Sequence, residues 1–173
     1  MPKLFALDHN FPTPIVEALQ EFQFDAELVP INKIDPRMAR LADWELLLAL
    51  KQHERDWDGL ITTDSSMLQL PRELAAMMQT KLTVVVAEGS GHDPVKATGL
   101  LFAHLGAIAK TTDQNIAQVW TLRTATRPAT DPWALLQKVA EHQNVPSKEL
   151  RNSAWLSEAQ LSADPLARLG ESP

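Results

Sequence analysis

One stretch limits the fold more than any other. Residues 82–87 read LTVVVA, an apolar and largely β-branched run with no polar alternation. A strand with one face in water alternates polar and apolar residues, whereas a strand covered on both faces does not. The run therefore predicts a central strand of a parallel sheet, with helices packed on either side. Its surroundings agree, because short apolar runs alternate with longer periodic segments in the manner of βαβ units.

Residues 3–7 form a compact apolar run suited to a buried strand. Thr13 is placed as a cap and Pro14 at the first helical position, with Ile15, Leu19 and Phe22 following at helical spacing. Residues 26–31 are expected as a second strand, made less regular by Pro30. Residues 32–41 are polar and punctuated by Pro36. A helix is expected from about Asp43 to His53, with Leu46, Leu47 and Leu50 on its inner face. GLITT at 59–63 reads as the third strand, and 71–79 as a helix. Asp93-Pro94 opens a helix to about Lys110, with Leu100, Leu101, His104, Leu105 and Ile108 in register. A last strand is expected near 119–122.

The pattern gives a three-layer α/β/α domain with a central, mostly parallel sheet over residues 1–127. A small C-terminal helical extension and tail occupies residues 128–173. Asp131-Pro132 caps one short helix there, carrying Trp133, Leu136 and Val139, and Pro146 opens another, with Trp155 and Leu156 beyond. The extension reads as an appendage, a lid or a partner-binding surface, and its tryptophans are expected to pack inward.

Of the 173 residues 45% are hydrophobic, enough for a substantial core, and none is cysteine. Disulfide frameworks, thiolate metal sites and cysteine nucleophiles are thereby excluded. The apolar run near the N-terminus is too short for a signal-peptide core, and no stretch approaches the roughly 20 apolar residues of a membrane span. A soluble cytoplasmic protein is expected. The formal charge of −6 argues against broad adhesion to nucleic acid, which needs clustered Lys and Arg. It leaves room for a local site whose positive charge comes from metal ions.

Three acidic positions recur at one topological place. Asp8 ends the first strand, Asp64 ends the third in LITTDSS, and Asp43 with Glu45 begins the helix between them. Ligands of an open parallel sheet collect at the carboxyl ends of its strands, near the point where strand order reverses. Converging carboxylates resist joint ionisation unless a cation neutralises them. Mg²⁺ and Mn²⁺ prefer such oxygen ligands and support phosphodiester chemistry. Each acid also has a plainer role: Asp8 in the turn DHNFPTP, Asp43 as a helix N-cap, Asp64 as a cap shared with Ser65 and Ser66. Three independent caps need not fall on one edge of one sheet.

These segments bear a family resemblance. FALDHNFP resembles the LLDENLP opening of short bacterial PIN-like proteins, ADWELLLAL their SDEEILELA helix, and GLITTDSSM their VLVTxDxDF segment. Order and approximate spacing match over about residues 3–110. The resemblance implies a Rossmann-like domain and a metal-dependent ribonuclease cutting single-stranded RNA, often the toxin of a toxin–antitoxin pair. It assigns Asp8, Asp43 and Asp64 to Mg²⁺ or Mn²⁺, with Glu45 supporting them and Asn10 as a secondary polar contact. It implies an antitoxin protein as partner and a homodimer.

This chain departs from the family pattern at two places. Ser66 stands where the family has a second aspartate, and His9 where it has glutamate. His9 is a candidate phosphate contact or proton carrier. Lys33, Arg37, Arg40 and Arg72 are the cations nearest the acidic edge. Two rivals to the nuclease reading are a PIN-fold binding or scaffold protein that no longer cuts, and another Mg²⁺-dependent phosphoryl-transfer enzyme. The second lacks the DxD spacing expected after a nucleophilic Asp8.

Overall fold

The computed structural model describes residues 1–20, 25–123 and 128–170, apart from the side chains of Ile15, Ala18 and Leu19. Phe22 lies outside the described residues. In chain order the elements are β1 (Lys3–Leu7), α1 (Thr13–Leu19), β2 (Ala26–Pro30), α2 (Ile31–Ile34) and α3 (Asp43–Gln52). They continue as β3 (Gly59–Thr62), α4 (Pro71–Thr80), β4 (Thr83–Ala87), α5 (Pro94–Thr111) and β5 (Gln118–Leu122). Three helices close the chain: α6 (Pro132–Gln143), α7 (Ser147–Ala154) and α8 (Glu158–Ser162).

The strands form one parallel sheet in the order β2-β1-β3-β4-β5. Every residue of β4 is buried, as its unbroken apolar run requires. Successive side chains feed two separate cores. Leu4, Ala6, Leu60, Val84, Val86 and Val119 pack under α3, α4 and α6, against Leu47, Leu74, Met77 and Leu136 among others. Phe5, Leu7, Ile61, Val85, Ala87 and Trp120 pack under α1 and α5, against Val16, Leu101, Leu105 and Ile108. The result is the expected α/β/α sandwich.

Gly59 opens β3 where no side chain fits. A Cβ there would stand 2.0 Å from the carbonyl oxygen of Thr83 and 2.8 Å from Cε1 of Phe5. The fit of β3 between β1 and β4 thus depends on glycine at this position.

Several local readings change. Thr13 does not cap α1: the capping position is Pro12, with no side-chain hydrogen bond, and Thr13 is already helical. The polar stretch after β2 is helical, as α2 followed by a 3₁₀ turn at Pro36–Arg40, because Asp35 accepts the amide of Arg37 at 2.9 Å and restarts the chain. Trp133 is half-buried against the core, but Trp155 is 45% exposed. Arg151 lies near both indole rings, 5.3 and 6.0 Å from their centroids.

The C-terminal extension is built into the helical layer. Leu136 and Leu156 are buried in the same core as Leu60 and Val84. The Gln79 side chain donates to the Leu156 carbonyl at 3.1 Å and accepts its amide at 3.2 Å. Gln52 donates to the carbonyls of Leu161 and Ala163, and Arg37 to that of Gly170. Residues 158–170 therefore run as a strap past the two ends of α3. Among the described residues no helix is long and apolar enough to cross a membrane.

Candidate functional site

Strand order reverses between β1 and β3, so the crevice at their carboxyl ends is the natural ligand position of this sheet. Asp8, Asp64 and Asp43 all sit around it.

Asp8 is the first residue beyond β1 and is only 3% exposed. Its amide donates to the Ile61 carbonyl at 2.9 Å, which fixes it against β3. Its Oδ2 accepts the hydroxyl of Thr62 at 2.8 Å. Its Oδ1 accepts the amide of His9 and lies 2.7 Å from His9 Nδ1. The imidazole is about half exposed, and this contact leaves Nε2 as its second nitrogen.

Asp64 is half-buried in the loop after β3. Its amide donates to the same Thr62 hydroxyl oxygen at 3.0 Å, and its Oδ1 accepts the Ser66 amide at 2.8 Å. Asp64 thus ties the turn that follows through the Ser66 amide, but it does not cap it: the capping position of the 3₁₀ turn Ser66–Gln69 is Ser65, with no side-chain hydrogen bond. Thr63 adds a tie between the loops, donating to the Asn10 carbonyl at 3.2 Å.

Asp43 is the first residue of α3, and the capping position is Ala42, so Asp43 is not the N-cap. Burial pushes its carboxyl up from the ordinary 3.8 to about 6, and the negative charges of Asp8, Asp64 and Glu73 add to the shift while His9 opposes it. Asp43 therefore feels the charges of Asp8, Asp64 and Glu73, although they come from widely separated segments.

Glu45 is buried but turned to a different task. Its Oε2 accepts the Ala42 amide at 3.0 Å, the half of a capping box that an alanine cap permits, and it also pairs with Arg168 from the strap. Glu45 fixes the start of the helix that carries Asp43. Ser66, Asn10 and Arg40 are exposed. Lys33 pairs with Glu17, and Arg37 forks onto Asp35. Arg72 stacks over Trp44, 5.3 Å from the ring centroid.

Two contributors escape a reading of the sequence. Thr62 looks like an ordinary strand residue in GLITT, yet its hydroxyl joins Asp8 to Asp64. Glu73 is 9% exposed at the opening of α4, and burial pushes its carboxyl up as well. A glutamate in the first turn of a helix is too common for its position to signal anything more.

An all-oxygen donor set with mutually repelling carboxyls suits a hard divalent cation. No three His, Asp or Glu side chains among the described residues stand at metal-coordinating spacing. The carboxyls lie near one another without closing on one point. No family model, curated protein or solved structure gives a significant match to this chain.

Proposed function

We propose that this protein is a PIN-like, metal-dependent endoribonuclease acting on single-stranded RNA, as the toxin of a toxin–antitoxin pair with an antitoxin protein as partner. The observation that carries the reading is the convergence of Asp8, Asp43 and Asp64 at the sheet's switch point, felt as the upward shift of the Asp43 carboxyl.

Asp8, Asp43 and Asp64 would hold Mg²⁺ or Mn²⁺. Bound there, the cation supplies an activated water and neutralises charge on a phosphodiester. Asp8 is pre-aimed by Thr62, and Asp43 is held by a helix start that Glu45 ties down. Asn10 and Ser66 offer polar contacts beside the crevice, and Arg40 a cation for the RNA backbone. His9 is anchored through Nδ1 on Asp8, so its Nε2 donates to a phosphate oxygen when the ring is protonated.

Cleavage of a mixed single-stranded RNA panel with Mn²⁺ tests this, comparing wild type with the Asp8→Asn, Asp64→Asn double variant. Loss of cleavage with EDTA and in the double variant supports the reading. No cleavage by folded wild-type protein favours a second reading, a PIN-fold binding protein that does not cut. Ser66 in place of a carboxylate, with its amide on Asp64 Oδ1, is the observation in that reading's favour.

A further inference from the structure

The strap of residues 158–170 is held by side chains of the domain and by none of its own amides. Those amides bond locally: Leu161 to the Ser157 carbonyl, Ala163 to Ala159, Ala167 to Asp164 and Leu169 to Leu166. Among the described residues none of them reaches α3, α4 or the sheet. The ties come from three side chains placed around α3. Arg37, ahead of the helix, donates to the Gly170 carbonyl at 2.9 Å. Gln52, its last residue, donates to the carbonyls of Leu161 and Ala163 at 2.6 and 2.9 Å. Glu45, in its first turn, pairs with Arg168, whose side chain is 55% exposed.

Apolar burial is equally thin. Neither α8 nor the 3₁₀ turn Ala167–Leu169 contains a buried residue. Pro165 is buried, and Leu161 and Leu166 are half-buried against the core. The residue before Ser157 is the opposite case, since Leu156 is 2% exposed and Gln79 takes both its amide and its carbonyl. A firm anchor is thus followed by an exposed, extended Ser157 and then by a segment whose amide bonds survive its departure. Segments with few buried contacts and exposed ties open while the remainder stays folded.

Closure is felt at one oxygen. Oε2 of Glu45 takes Arg168 and also accepts the Ala42 amide at 3.0 Å, at the start of the helix that carries Asp43. We propose that residues 158–170 form a latch that opens and closes on a folded domain. Its closure, passed through Glu45, fixes the first turn of α3 and with it Asp43. The bearing on activity rests on the reading of the crevice above; the latch itself does not.

The chain has no cysteine, so a single introduced thiol reports the opening. Pro165→Cys puts it at the buried position of the strap, and Leu161→Cys provides a second reporter at the strap's other end. Labelling of each full-length, metal-free variant by an aromatic disulfide is followed with rising urea. Labelling is expected to outpace global unfolding and to depend little on low urea. Gln52→Ala combined with Arg168→Ala should speed it about 10-fold or more at both reporters, with thermal unfolding still a single cooperative transition. Exchange of the Ala42 amide, resolved by NMR, should quicken in step, while the amides of β4 keep their rates. Labelling that follows the urea dependence of global unfolding overturns the latch. So does an Ala42 amide that keeps its rate when the strap is loosened, because closure would then not reach α3. Neither readout uses metal or RNA, so a chain that binds no Mn²⁺ overturns the nuclease reading alone.

Discussion

The hydroxyl of Thr62 reaches Oδ2 of Asp8 at 2.8 Å, across the seam between β1 and β3 and over 54 residues of chain. The same oxygen accepts the Asp64 amide, so one side chain sets the relative position of two candidate ligands. Thr62→Val keeps the shape and removes both bonds. It is expected to cost about 1.5–3 kcal/mol, because a buried carboxylate and an amide each lose a partner. Mn²⁺ affinity should fall about 10- to 100-fold, as for other groups that orient ligands. Urea unfolding and Mn²⁺ titration check the two together, and a drop in stability with unchanged affinity would assign Thr62 to the fold alone.

Asp43 makes the metal-free protein sensitive to pH in a defined direction. Its carboxyl titrates near 6 when folded against 3.8 ordinarily, so the folded state holds its proton more tightly. The resulting stability is fully present below about pH 3.8 and is lost as pH rises to about 6. Glu73 shifts in the same sense. Asp43→Asn is expected to flatten this part of the stability profile and to raise Tm at pH 7.5 in EDTA by a few degrees. Identical profiles for wild type and variant would show that burial and the neighbouring charges do not raise the Asp43 carboxyl as described.

Glu45 and Arg168 separate a cap from an ion pair. Glu45→Ala strips the Ala42 amide of its acceptor and should cost about 1–2 kcal/mol. Arg168→Ala removes a contact whose cation is more than half exposed, so less than about 1 kcal/mol is expected. Thermal unfolding of the two variants gives the order directly, and equal losses would mean that the cap contributes nothing.

The C-terminal helices should prove indispensable to folding. Leu136 is fully buried beneath them, and Leu136→Ala is expected to cost about 2–5 kcal/mol. A chain ending at residue 127 would expose that side of the core and should lose cooperative unfolding in calorimetry. A sharp transition for the shortened chain would establish that residues 1–127 fold alone.

What the sequence made legible follows from where each signal resides. LTVVVA and GLITT were readable because burial on both faces leaves no polar alternation, and both are strands. The helix opening at Asp43 was readable from its leucines. Asp8 and Asp64 stood out because strand ends in an α/β chain are marked by the strands themselves, and Asp43 because it opens the helix between them. Contacts made at long range left no comparable mark. Nothing local says that Thr62 points its hydroxyl at Asp8, or that Glu45 answers to Arg168 rather than to the crevice. Thr13 resembled a cap by residue type, but Pro12 takes the position, and Pro14 is compatible with either start. Trp155 shows the limit of helical spacing as a guide, since its ring lies against Arg151 at the surface.

The strap carried by Arg168 also imposes an order in time. A chain made from its N-terminus folds as it emerges, so the sheet and the helices through α7 can pack, with the aspartates in place, before residue 168 exists. The brace on the helix that presents Asp43 is then among the last contacts to form. A chain cut short after α7 but before residue 168 would already carry its acids in place, yet would leave that helix without its closing tie.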